Sequence, residues 1–240
     1  MTRSPPPPAL SPHPPGLGRV PLFETLDDST RADLTRLCAW KRHGAGEQII
    51  DREGDSQDVH FVVEGTARIM IYTASGRAVA LDDVEAGGYF GELAAFDGAP
   101  RSASVLAVTP CWIASLSAGH FLRVLGQYPP LALVVMRRLA AVIRAATDRI
   151  VELSTLGANN RVQADLLRQA MTAGVDSAGR AVITPIPPHA DMASRVSTSR
   201  ETVARVLNDL ARQGLVTRER DVLVVNDVAR LEMIVQEVMG

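Results

Sequence analysis

The sequence has only two cysteines, Cys38 and Cys111. Two thiols cannot supply the four cysteine ligands of an iron–sulfur cluster, and no cysteine or histidine spacing indicates a zinc site. We therefore expect no metal cofactor. Such low cysteine usage also favours a reducing, cytoplasmic compartment.

The sequence has almost no net charge. It contains 25 Lys and Arg against 27 Asp and Glu, which gives a formal net charge of -2. This balance exerts no general attraction for nucleic acid, so any DNA binding must rest on a local motif. Hydrophobic residues at 46% and charged residues at 22% are typical of a globular chain.

Long hydrophobic runs are also missing. The first twenty residues contain no apolar segment of the kind that a signal peptide needs. The longest apolar region, LALVVMRRLAAVIRAA, is interrupted by Arg137, Arg138 and Arg144, so we expect no membrane partner. Prolines between positions 5 and 15 predict that residues 1–19 form an extended, mobile tail.

Residues 20–129 have a strand-rich pattern after one short helix. A helix is predicted within residues 21–40, followed by short runs of β-branched residues that glycines interrupt at a regular interval. This spacing is typical of an all-β roll or barrel.

Residues 131–156 contain no glycine or proline. Within residues 130–157, apolar residues recur every three or four positions. The pattern predicts one long amphipathic helix. Two interpretations stay open, because the apolar stripe can pack on its own domain or pair with the same helix of a second copy. Arg149 lies near the stripe, so the repeat is not a regular coiled coil.

Residues 158–240 predict a small mixed domain. An amphipathic helix is followed by a short strand, two short helices, a hairpin and a last helix. The two short helices around RVSTS indicate a helix-turn-helix. Thr198 stands three residues before Glu201, which is the spacing of a capping box.

The second of these helices has two different faces. At about 100° per residue, the polar residues Arg200, Glu201 and Arg205 fall between about 0° and 140° around the helix. The aliphatic residues fall between about 240° and 340°: Val203, Val206, Leu207 and Leu210. Arginine can bind guanine O6 and N7, and glutamate can accept from cytosine N4. The alternative is a merely solvated face.

The stretch GYFGELAAFDGAPRSAS, residues 88–104, combines a glycine, an acceptor, a cation and a hydroxyl. Together they suit a ligand that carries one negative charge and some hydroxyl groups. The alternative is that Glu92 and Arg101 form a surface ion pair that stabilises a turn.

Three features in this order resemble the Crp/Fnr superfamily: FGELAAFDGAPRSAS, the long helix after it, and STSRETVARVLNDLARQGLV. The resemblance covers about residue 21 to the C-terminus. It implies an α+β chain with an N-terminal β-roll of the cyclic-nucleotide-binding jelly-roll type at 20–129, a long dimerisation helix at 130–157 and a C-terminal winged helix-turn-helix at 158–240. Its implied partners are double-stranded DNA, a second copy of the chain and RNA polymerase.

The resemblance also implies roles for individual residues. For a cyclic nucleotide, with cyclic AMP favoured over cyclic GMP, it implies contacts from Gly91, Glu92, Leu93, Ala94, Arg101, Ser102 and Thr147. Glu92 would accept from the ribose 2′-hydroxyl, while Arg101 and Ser102 would bind the cyclic phosphate. For a palindromic TGTGA-like DNA site it implies base contacts from Arg200, Glu201 and Arg205 and phosphate contacts from Ser199 and Thr202.

One departure leaves the base preference open. Where cyclic AMP receptor proteins have two adjacent hydroxyl residues on the long helix, this sequence has Ala146 and Thr147. Two alternatives keep the DNA binding. One is a regulator that needs no ligand, and the other is a regulator with a different input, either haem through His43, His60 or His120, or redox state. A third alternative is a nucleotide-binding module that regulates a partner protein. The sequence contains no nucleophile elbow, Walker loop or metal-ligand pair, so we expect no enzyme.

Overall fold

The computed structural model describes residues 10–73 and 78–239, and for residues 237–239 it describes the backbone alone. The chain divides into two compact units, residues 1–142 and 143–240. Among the described residues, no helix is both long enough and apolar enough to cross a bilayer.

The first unit is the predicted β-roll. Two antiparallel sheets form it, with strand orders β1-β8-β3-β6 and β2-β7-β4-β5. The strands are β1 Ala39–His43, β2 Gln48–Ile50, β3 Val59–Glu64, β4 Thr66–Tyr72, β5 Ala78–Glu85, β6 Tyr89–Phe90, β7 Ser104–Ala107 and β8 Cys111–Leu116. The helices are α1 Asp28–Leu37, α2 Glu92–Asp97 and α3 Ala118–Gln127, and α4 Pro129–Thr155 continues into the second unit.

Strand β3 is buried on both of its faces. Phe61 packs against the helices that cover the roll, together with Phe23 and Phe121. Val62 points the other way, into the apolar layer between the two sheets with Phe90. Side chains alternate along a strand, so every second residue of β3 faces the interior of the roll.

The structure corrects the expected tail in its described part. Leu17 is fully buried in the core of the roll, and Leu10 packs against the same core. The backbone N–H of Ser11 donates to Glu64 at 2.8 Å, and Trp112 Nε1 donates to the Ser11 carbonyl at 2.8 Å. The leucines among the prolines provide apolar anchors, so residues 10–19 lie on the roll. Residues 1–9 of the expected tail lie outside the described residues.

The long helix α4 has a divided apolar stripe. Leu131 and Val135 are buried in the first unit, which matches packing on its own domain. Other large apolar side chains of this helix are exposed in the single chain: Leu133, Val134, Met136, Val142, Ile143, Ile150, Val151 and Leu153.

The second unit contains the predicted helix-turn-helix and hairpin. Its elements are α5 Ala158–Ala173, β9 Ala181–Ile183, α6 His189–Arg195, α7 Arg200–Arg212, β10 Val216–Glu219, β11 Val222–Val225 and α8 Val228–Met239. The strands form an antiparallel sheet in the order β10-β11-β9. This hairpin after α7 is the wing of a winged helix-turn-helix.

We predict that Leu17→Ala lowers the free energy of unfolding by about 2–5 kcal/mol, because it leaves a cavity in the core of the roll. Thermal and urea denaturation of the full chain measure the change. The matched control is His13→Ala in the same segment, where the side chain is exposed and the expected change is within about 0.5 kcal/mol. Equal stability of the two variants would contradict the docking of this segment.

Candidate functional sites

Gly91 forms the turn between β6 and α2 in a conformation that suits glycine. Its φ is 87°, in the left-handed region. A Cβ atom on this residue would lie 2.6 Å from Arg101 Nη1 and 3.0 Å from the Asp58 carbonyl oxygen. Both the backbone angle and the available space therefore require glycine here, and the guanidinium of Arg101 fills the space that a side chain would take.

Arg101 is a buried cation with neutral hydrogen-bond partners. It is 5% exposed, and its Nη1 donates to the Gly91 carbonyl at 2.8 Å. Its Nη2 donates to Ser56 Oγ and to the Asp58 carbonyl, both at 2.8 Å. Its Nε is buried and has no hydrogen-bond partner in the described part of the chain. Burial lowers the pKa of this guanidinium, because desolvation disfavours the charged form.

Glu92 is the first residue of α2 and is half-buried. Burial raises the pKa of its carboxyl, and its own backbone N–H and the charges of Arg138 and Arg101 offset only part of that effect. Arg138 reaches from α4 and places its Cζ 4.1 Å from the centre of the Tyr89 ring. Across the described residues, Arg101 has no carboxylate within 4.0 Å. The surface ion pair that the sequence left open between Glu92 and Arg101 is therefore not formed.

The other residues of the expected nucleotide site have different surroundings. Leu93 is exposed and Ala94 is buried on α2, while Ser102 is exposed directly after Arg101. Thr147 belongs to the second unit, where it is exposed and its Oγ1 donates to the Ile143 carbonyl at 3.0 Å. The structure thus brings together Gly91, Glu92 and Arg101.

His60 borders the same site, although sequence reasoning considered it only as a haem ligand. It is 8% exposed, and its ring stacks on Phe90 with centroids 5.3 Å apart. Its Nδ1 lies 2.8 Å from Ser115 Oγ. Burial, followed by the charges of Arg101 and His43, lowers the pKa of His60 to about 3, so this imidazole is neutral at physiological pH.

The remaining candidates for haem or redox sensing are two histidines with polar neighbours and two buried cysteines. His43 Nδ1 lies 3.1 Å from Glu47 Oε1, and His120 Nδ1 lies 2.8 Å from Ser117 Oγ. Cys38 and Cys111 are buried free thiols, and burial raises the pKa of Cys38 to about 12. Among the described residues, no group of three or more His, Cys, Asp and Glu side chains could hold a metal ion.

Helix α7 begins one residue later than the capping-box spacing suggested. Ser199 is the N-cap, and its Oγ accepts from the backbone N–H of Thr202 at 3.2 Å. Ser197 has a φ of 53°, so the turn between the two helices contains a left-handed residue. Because the backbone N–H of Thr198 still donates to the Ala193 carbonyl at 2.9 Å, Thr198 belongs to this turn and the helix begins at Arg200.

The faces of α7 follow the helical period. Its buried residues are Val203, Val206, Leu207 and Leu210. Glu201 and Arg205 are exposed on the opposite face, and Arg200 is exposed at the first position of the helix. The Nη2 group of Arg205 donates to Asn159 Oδ1 at 3.1 Å, which ties this side chain to the start of α5.

Buried polar contacts hold α5 against the helix-turn-helix. Asp165 accepts from Arg195 through both oxygens, at 3.2 and 3.0 Å, and is 4% exposed. Arg161 donates to the carbonyls of Val196 and Leu156 at 2.9 and 2.8 Å. Paired arginine–carboxylate bonds fix orientation as well as distance, so the turn before α7 is held firmly.

Comparison with known proteins identifies both units. Residues 41–128 match the cyclic nucleotide-binding domain family, and residues 160–234 match the Crp-like helix-turn-helix domain family. The chain is 26% identical over 201 residues to the CRP-like cAMP-activated global transcriptional regulator of Mycobacterium tuberculosis. That match covers 83% of this chain and 89% of the relative.

Solved structures with the same fold include a mutant of CooA from Carboxydothermus hydrogenoformans. It has a TM-score of 0.77 and 19% identity, and the match covers 89% of this chain and 95% of that one. A CRP-family transcriptional regulator from Thermus thermophilus has a TM-score of 0.65 and 26% identity, over 83% and 98% of the two chains. With its cyclic nucleotide-binding domain and winged helix-turn-helix, the chain belongs to the Crp/Fnr family, whose members are DNA-binding transcription regulators and not enzymes.

Proposed function

We propose that this regulator is a homodimer gated by a cyclic nucleotide that binds inside the β-roll. The observation that carries the proposal is the buried guanidinium of Arg101, whose contacts are neutral and whose Nε–H has no partner among the described residues. A buried charge is costly unless an opposite charge accompanies it, so the site suits an anion. A cyclic phosphodiester carries one negative charge, which matches one guanidinium.

The residues around Arg101 suit the rest of such a ligand. Glu92 supplies an acceptor for the ribose 2′-hydroxyl, and Ser102 supplies a donor for a phosphate oxygen. The backbone N–H groups of Gly91, Leu93 and Ala94 lie at the start of α2, where N–H groups have no partner within the helix. We assign these groups to the phosphate and ribose.

We favour cyclic AMP over cyclic GMP as the effector. The support is that a relative matched over 83% of this chain is named as a cAMP-activated regulator. Thr147 is the proposed base contact from the long helix. Ala146 lacks a hydroxyl. Of Ala146 and Thr147, we therefore expect only Thr147 to help distinguish adenine from guanine.

The exposed apolar residues of α4 support dimerisation. Eight large apolar side chains are exposed on this helix in the single chain, among them Val142, Ile143 and Ile150. Pairing with α4 of a second copy would remove them from water, and buried apolar area is the main favourable term in such an association. The second copy would also place two α7 helices for a two-fold DNA site.

The exposed face of α7 supports sequence-specific DNA binding. We assign Arg200, Glu201 and Arg205 to base edges in a TGTGA-like half-site, and Ser199 and Thr202 to phosphates. Effector binding would favour one packing of the paired long helices and so set the spacing of the two reading helices. Contact with RNA polymerase and a cytoplasmic location complete the proposal.

Arg101→Ala should weaken effector binding by about tenfold to 150-fold, because it removes charge-assisted hydrogen bonds. Isothermal titration of cyclic AMP and cyclic GMP into the full chain measures this loss. Arg101→Lys keeps the charge without the planar fork and should lie between the wild type and the alanine variant. Arg123→Ala on α3, where the side chain is exposed, is the matched control. Unchanged binding in Arg101→Ala would refute the site.

Arg205→Ala and Arg200→Ala should each lose about 1–3 kcal/mol of discrimination at one guanine. Selection from randomised duplexes, followed by binding to the selected and mismatched sites, measures the loss. Arg212→Ala lies on the same helix and pairs with Asp209, so it should leave the base preference intact. An unaltered preference in both arginine variants would overturn the assignment of α7 as the reading helix.

A further inference from the structure

His60 faces the interior of the β-roll at the end where Arg101 lies. On β3 it alternates with Phe61 and shares its face with Val62, which packs between the two sheets. Its neighbours across the sheet are Phe90 on β6 and Ser115 on β8. The side chain therefore lies inside the roll rather than among the covering helices.

His60 and Arg101 both lie beside Gly91, and we call the site that these three residues form the cradle. The Cδ2 atom of His60 and the Nη1 atom of Arg101 lie 3.4 Å and 2.6 Å from one point, where a Cβ on Gly91 would stand. Cδ2 is bonded to Nε2 in the imidazole ring. Nε2 of His60 is buried without a hydrogen-bond partner among the described residues, as is Nε of Arg101.

The chemistry of Arg101 Nε and His60 Nε2 determines which kind of ligand they can bind. The Nε–H of Arg101 is a donor in every protonation state that a protein allows. His60 is neutral, so one ring nitrogen carries the proton. We assign the tautomer in which the Ser115 hydroxyl donates to Nδ1, 2.8 Å away, and the proton lies on Nε2. In that tautomer an anion beside the guanidinium could accept from Nε2, which has no partner among the described residues. A cation would be repelled by the guanidinium.

We propose that His60 is a further binding residue of the effector cradle, and that its Nε2–H donates to the anion that Arg101 binds. This inference rests on the proposed function, because the anion is then the cyclic phosphate. His60 adds a hydrogen bond without adding a charge. The cradle keeps a single positive side chain and so remains matched to a singly charged phosphodiester.

The test compares His60→Phe with His60→Gln in the full chain. Phenylalanine keeps the planar ring against Phe90 and removes both nitrogens, so cyclic nucleotide affinity should fall about tenfold or more. Glutamine carries an amide N–H at the distance of Nε2, so its affinity should stay within about threefold of the wild type. His43→Phe removes another buried imidazole of the same unit and should leave the affinity unchanged.

The melting temperature of the ligand-free protein separates binding from a structural role. We expect at most a small fall in the melting temperature of His60→Phe, from the lost contact between Nδ1 and Ser115, beside a loss of affinity of about tenfold or more. Equal affinity in His60→Phe and the wild type would overturn the proposal. So would a loss of affinity in His60→Gln as large as in His60→Phe.

Inorganic phosphate serves as a second probe that does not depend on the nucleotide. It should raise the melting temperature of the wild type above that in sodium chloride of equal ionic strength, and the rise should shrink in His60→Phe. If the wild type binds neither nucleotide yet shows this difference, the proposed effector is wrong and the anion cradle stands. If the wild type binds neither nucleotide and phosphate also gives no rise in its melting temperature, the role of His60 is refuted.

Discussion

The guanidinium of Arg101 carries a positive charge into the interior of the β-roll, where carbonyl and hydroxyl oxygens surround it and, in the described residues, no carboxylate lies within 4.0 Å. Three residues of the first unit hold that charge in place through hydrogen bonds. The left-handed turn at Gly91 brings a carbonyl against it, and the segment before β3 supplies Ser56 and the Asp58 carbonyl. In the proposed function, a bound anion completes the charge balance.

The second unit depends on a different constraint, which is the fixed orientation of α7. Asp165 and Arg161 on α5 hold the helix-turn-helix through arginine bonds to a carboxylate and to backbone carbonyls. The buried aliphatic stripe of α7 leaves its polar face in water. Arg205 is further restrained by Asn159, so part of its side-chain freedom is lost before any DNA is bound.

The sequence was sufficient wherever a local period or spacing determines the geometry. The helical period alone separates Glu201 and Arg205 from Val203, because it depends on no distant contact. The sequence was insufficient where distant segments meet. His60 reaches the cradle only through the register of β3 with β6 and β8, and Leu17 is buried only because the roll offers it a surface. No pattern within either segment encodes those partners.

The central claim is that anion binding at Arg101 controls DNA binding by α7. The most direct test is the dissociation constant for one palindromic TGTGA-type duplex, measured at fixed salt with and without saturating cyclic AMP, for the wild type and Arg101→Ala. The account predicts at least about tenfold tighter binding with the nucleotide in the wild type and no change in the variant. Equal affinity of the wild type under both conditions would contradict it.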